Sequence, residues 1–251
     1  VLAALAVIAF LLASPPHALL DKADRVAFAV CHRIPSRTFT VAGRPLPLCA
    51  RCSGSYLAAL AGLAVLALRG RILADRLPAR PFLLLFGAFL IAWGIDGFNS
   101  FLTFFPELPH LYEPRNGLRL LTGAMQGLAL VAIMTPLVNR GFRDEGPGIA
   151  SVSGTGDLTW LLGAGALVVL AVSADWPPLL YPLALVSALA VVAFAALLNV
   201  LLLTMVADTG RAGWLRPIAA RVTAGTALAL IELAALALIH GVLETLTGWP
   251  V

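Results

Sequence analysis

Long apolar runs dominate this chain and leave it few ways to fold. A helix needs ~20 apolar residues to cross a ~30 Å hydrocarbon core. Seven stretches approach or reach that length: Val1–Ala13, Ser53–Leu68, Pro81–Phe104, Gly117–Val138, Leu158–Ala174, Leu179–Val206 and Val222–Leu243. With 60% apolar and only 12% charged residues, the chain cannot supply the charged exterior that a soluble fold of 251 residues requires. The same composition excludes a disordered chain, a collagen, a coiled coil and a secreted disulfide scaffold. The expectation is an all-α, polytopic transmembrane bundle of about seven spans.

The first run is short and ends at the small residues Ala13 and Ser14, as a signal-peptide core does. We read it as a retained span rather than a truncated leader. Consecutive prolines in Asp175-Trp176-Pro177-Pro178 break the fifth run from the sixth. The Gly-, Ser- and Asp-rich stretch 139–157 reads as a flexible connector between a membrane region over 1–138 and a second over 158–251. Of 17 basic residues, 16 are arginines scattered through short loops, without the stripe that nucleic-acid binding leaves. Their distribution between the two faces leans toward an extracytoplasmic position for the connector 14–52.

All three cysteines lie in that connector, as Cys31-His32 and Cys49-Ala50-Arg51-Cys52. A Cys-x-x-Cys turn with a third thiolate and an imidazole returning from upstream has the spacing of zinc ribbons and fingers. The candidate metal ligands are therefore Cys31, His32, Cys49 and Cys52, with zinc as the cofactor. His110 and His240 are alternative fourth donors on the same face. A disulfide with one free thiol, a redox pair, and inert thiols are the other readings of the same residues.

Ionisable groups at bilayer depth cost ~2.5 kcal/mol or more, so they face a partner or a wet cavity. Asp96, Asn99 and Thr103 fall at helical spacing on one run, and Asn116, Arg119, Thr122 and Gln126 on the next. Both stripes lead to the face that carries the cysteines. The simplest neutralisation pairs Asp96 with Arg119, or the two stripes form a clasp between helices. Glu232 and His240 share one side of the last run. With Arg37 and Arg51 from the cysteine connector, these residues make up a candidate polar pocket. Guanidinium groups suit an anionic headgroup or small anionic ligand.

Two segments carry a resemblance. Cys31-His32-Arg33-Ile34-Pro35-Ser36-Arg37-Thr38-Phe39, followed by Pro47-Leu48-Cys49-Ala50-Arg51-Cys52-Ser53-Gly54-Ser55-Tyr56, resembles the signature of an uncharacterised prokaryotic integral-membrane family, a domain of unknown function. Asp96-Gly97-Phe98-Asn99 and the segment from Asn116 to Gly123 extend the resemblance, which covers roughly residues 27–130. It implies a prokaryotic cytoplasmic-membrane protein and supplies no activity. Three functions stay open: a metal-capped pocket acting on or binding an anionic amphiphile, a zinc-stapled assembly subunit of a larger membrane complex, and an ion- or proton-coupled transporter. Whether the protein is an enzyme is likewise open.

Overall fold

The structure, a computed structural model, describes residues 18–105, 107–142, 146–208 and 218–247. The candidate first span Val1–Ala13 lies outside the described residues. Among the described residues seven α-helices follow in order: α1 Leu19–Phe28, α2 Ala50–Leu68, α3 Arg80–Leu102, α4 Asn116–Phe142, α5 Thr155–Ser173, α6 Leu180–Asp208 and α7 Ile218–Thr247. Among the described residues six helices, α2 to α7, are long and apolar enough to cross a membrane. Each lies within a few residues of the corresponding apolar run.

The helix α1 has no counterpart in that reading. It is short and carries four charged residues, Asp21, Lys22, Asp24 and Arg25. Its apolar side buries Leu20, Ala23 and Ala27. Between α1 and α2 the chain forms a small hairpin, with β1 (Thr40–Val41) antiparallel to β2 (Arg44–Pro45). Ala42 and Gly43 both take positive φ, +51° and +74°. That is the twist a two-residue hairpin turn demands. The Ala42 N–H donates to Asp175 Oδ1 at 3.0 Å, tying the hairpin to the α5–α6 connection.

The most extensive helix contact is between α2 and α4, and glycine makes it possible. A Cβ at Gly123 would lie 2.2 Å from the Arg51 carbonyl oxygen, and one at Gly127 would lie 2.2 Å from that of Ser55. The reciprocal position on α2, Gly54, abuts the Leu120 carbonyl. Small residues let membrane helices meet backbone to backbone, where dispersion and not hydrophobicity holds them. Around this seam Ala58, Ala59, Leu66, Phe86, Leu128, Ala132 and Leu161 form one buried cluster drawn from α2, α3, α4 and α5.

On the membrane face away from the cysteines, residues 149–151 lie along the α2–α3 connection. Asp75 and Arg76 donate backbone N–H groups to the Ile149 carbonyl, and Ser151 donates back to Arg76. Asp157 accepts from Arg69 Nε at 3.1 Å and from the Ser153 hydroxyl at 3.1 Å. The described part of 139–157 is therefore bonded to its neighbours.

Gly123→Ala forces the α2–α4 seam apart, and we expect it to destabilise the bundle by ~1–3 kcal/mol. Gly94→Ala, where an added Cβ meets nothing within 4 Å, leaves stability unchanged. Thermal unfolding of both variants in detergent checks the contrast.

Candidate metal centre and polar pocket

Cys49 is the N-cap residue of α2, and Arg51 and Cys52 follow in the helix's first turn. Cys31 arrives from the segment after α1, where it is 2% exposed. The Cys49 backbone N–H donates to Cys31 Sγ at 3.2 Å, which anchors the upstream strand of chain against the helix start. The three sulfur atoms all lie within 4.8 Å of one another and could hold a metal ion. They are free thiols, packed among Ala27, Ala29, Leu48, Val191 and Leu233.

Three thiols so close do not titrate alike. Hydrogen bonds from Cys31 and Cys52, helped by the backbone N–H groups of Cys52 and Arg51, hold Cys49 far below the usual thiol range. Cys31 is pushed up, chiefly by the hydrogen bond it gives to Cys49, with burial adding to the effect. Cys49 also sits at the positive end of a helix, which favours its thiolate form. A thiolate is the form that a soft cation binds.

Arg51, between the two cysteines of the turn, reaches the other way. Its Nη2 and Nε both donate to Asp96 Oδ2, the latter at 3.1 Å, and Nη2 also meets the Asp96 carbonyl at 3.0 Å. Asp96 is 1% exposed. Its other oxygen accepts from the Tyr112 hydroxyl at 2.8 Å, and Thr122 Oγ1 donates to Oδ2 at 3.2 Å. Burial, the hydrogen bond to Asp96 and the Asp96 charge push the Tyr112 phenol up to about 12. It remains a donor to the carboxylate.

Ser100, one turn beyond Asp96, gathers the remaining cations. Its hydroxyl accepts from Arg51 Nη2 at 2.9 Å and from Arg119 Nε at 3.3 Å, while its carbonyl accepts from Arg37 Nη2 at 3.2 Å. Arg37 also donates to Thr103 Oγ1 at 3.0 Å and lies over the Phe104 ring, 4.1 Å from its centroid. Burial first, then the neighbouring Arg51 charge, pulls the Arg37 pKa down, and the Cys49 charge acts in the opposite sense. Asn116 accepts from Arg119 Nη1 at 2.9 Å and donates to the Ser36 carbonyl at 3.1 Å. Asn99 is fully buried and holds the α3–α4 loop. Its Oδ1 accepts from the Leu111 and Tyr112 N–H groups, and its Nδ2 donates to the Tyr112 carbonyl.

The structure thus brings together Arg37, Arg51, Asp96, Asn99, Asn116 and Arg119. It differs from the sequence expectation in giving Asp96 to Arg51, not to Arg119. The α2–α4 seam places the first turn of α2 beside the polar stripes, and that proximity decides the partner. Ser100 and Tyr112 complete the group and were missed. Ser100 is one residue off the stripe that was followed, and Tyr112 lies in a loop with no periodicity to mark it.

Glu232 and His240 stand elsewhere. Glu232 is exposed on α7 and accepts from Asn199 Nδ2 of α6 at 2.7 Å, a clasp between those two helices. His240 donates from Nδ1 to the Phe28 carbonyl at 2.7 Å. Its ring centroid is 6.2 Å from that of His32, which is exposed. His110 pairs with Glu113 in the α3–α4 loop.

Arg51→Gln would leave a buried carboxylate without its cation, and we expect a loss of ~3–5 kcal/mol. The double variant Arg51→Gln with Asp96→Asn should recover much of that loss, because no bare charge remains. A double-mutant cycle read by unfolding in detergent measures both.

Comparison with known proteins supports the same segment. Residues 31–133 match the family described as Predicted membrane protein (DUF2085). Over 108 residues the chain is 29% identical to an uncharacterised protein of Methanocaldococcus jannaschii, a match that covers 43% of this chain and 63% of that one. Over 109 residues it is 33% identical to an uncharacterised protein of Methanothermobacter thermautotrophicus, covering 43% of this chain and 86% of the relative. The match therefore spans less than two thirds of the first relative and most of the second. No solved structure matches. The matched residues run from Cys31 past Thr122, so the sulfur cluster and the Asp96 group fall wholly within them.

Proposed function

The chain belongs to the DUF2085 family of predicted membrane proteins, and from that premise we propose that it is a zinc-stapled membrane protein whose polar pocket binds an anionic amphiphile. The reading is carried by one observation: three sulfurs from sequence positions 31, 49 and 52 lie within 4.8 Å of one another around the turn that also carries Arg51. Three thiolates and one further donor make a closed tetrahedral site of the structural kind. The structure groups the three sulfurs without His32, which is exposed, so His32 would have to turn inward from its place beside Cys31 to supply that donor.

The ion's role is to hold the connector. Without it, the segment bearing Arg37 and the first turn of α2 would be joined only by hydrogen bonds and a small apolar cluster. With it, Arg37 and Arg51 are carried on a cross-linked frame against α3 and α4. A metal bound by thiolates stabilises the folded state by whatever affinity the unfolded thiols lack.

Elemental analysis of the purified full chain should find about one zinc per molecule, the content of a single closed site. Cys49→Ser and Cys52→Ser should each lower it several-fold, and His32→Ala should lower it less. Chains purified without metal, with three thiols open to a titrating reagent, would contradict the staple.

A further inference from the structure

Arg37 and Arg119 differ from the ion-paired arginines of this membrane face. Arg33 and Arg44 pair with Asp21 or Asp24, and Arg51 pairs with Asp96. Among the described residues neither Arg37 nor Arg119 has a carboxylate within 4.0 Å. Arg119 is nevertheless only 6% exposed. Both donate to neutral oxygens, on Ser100, Thr103 and Asn116. The one nearby carboxylate is already held by Arg51, Tyr112 and Thr122. A buried guanidinium that lacks a counter-charge is costly, and two converging on one serine repel each other.

We propose that Arg37 and Arg119 form the clamp for a phosphate-type oxyanion. The inference rests on the pocket reading above and names the class of anion. Arg119 Nε and Nη1 and Arg37 Nη2 already serve neutral oxygens, and the remaining N–H groups of the two guanidiniums, coming from different elements, suit a tetrahedral group with several acceptor oxygens in different directions. A carboxylate, with two oxygens in one plane, is served by one fork alone. Arg119 lies in the first turn of α4, where the helix end adds positive potential and favours phosphate. Arg37 bonds to the end of α3 and Arg119 lies at the start of α4, and the ends of spanning helices are where a chain meets lipid headgroups. Beside Arg37, the rings of Phe101, Phe104 and Phe105 pack edge to face and are exposed. They offer an apolar surface to whatever the phosphate carries.

The test uses the full chain, with zinc content recorded for each sample. Inorganic phosphate is titrated by calorimetry in detergent. In parallel, phosphatidic acid is offered in phosphatidylcholine nanodiscs and bound lipid is counted by native mass spectrometry. We expect saturable binding of at least one probe, weakened about 10- to 100-fold by Arg37→Gln or by Arg119→Gln. Arg80→Gln, on the opposite face, should bind as the parent does. Arg119→Lys keeps the charge but loses the fork, and guards against a variant that fails to fold. It should bind more weakly than the parent. Binding of both probes assigns a free oxyanion site, and binding of phosphatidic acid alone assigns a lipid headgroup. Either outcome supports the clamp.

No saturable binding of either probe would overturn the clamp. So would binding that both glutamine variants, or the lysine variant, leave unchanged. A zinc-loaded protein that binds neither probe removes the clamp and keeps the staple. A zinc-free protein that binds phosphate through these arginines does the reverse.

Discussion

The pairing of Asp96 with Arg51 is the interaction on which this membrane face depends. A carboxylate buried at the end of a span must find a cation or give up its charge. The cation it finds comes from another helix. Arg51 can reach it because Gly123 and Gly127 let the backbone of α4 lie directly on that of α2. A methyl group at either position would push the first turn of α2 away and move the guanidinium with it. Helix packing, ion pairing and the assembly of the polar group are thus consecutive steps of one arrangement.

That first turn also places two chemistries back to back. Cys49 and Cys52 meet Cys31 in an apolar setting built from α1, α6 and α7, while the Arg51 side chain leaves toward α3 and α4. Anything that fixes the sulfurs fixes the origin of the guanidinium. On the opposite face, among the described residues, Asp157 is held by Arg69, Arg71 and Ser153, and Asn139 and Arg140 donate to the α2–α3 connection.

Much of this was legible in the residues. The apolar runs locate six helices, because spanning hydrocarbon permits little else. The clustering of every cysteine in one connector marked the sulfur site, and the spacing of Asp96, Asn99, Asn116 and Arg119 marked the polar stripes. What the residues did not disclose was tertiary. Asp96 had two arginines within plausible reach, and only the α2–α4 seam selects Arg51. Helix α1 escaped notice because ten residues with four charges read as a polar connector until an apolar groove receives Leu20, Ala23 and Ala27. Glu232 and His240 share a helix side with each other, yet the neighbours of α7 give them partners of their own.

X-ray absorption at the zinc edge of the intact, untreated protein reads out whether the three sulfurs hold a zinc ion. A zinc ion stapled as proposed gives a shell of three sulfur scatterers at ~2.3 Å with one nitrogen near ~2.0 Å. A shell of nitrogen and oxygen alone, or a sulfur edge showing the cysteines joined in a disulfide, would contradict it.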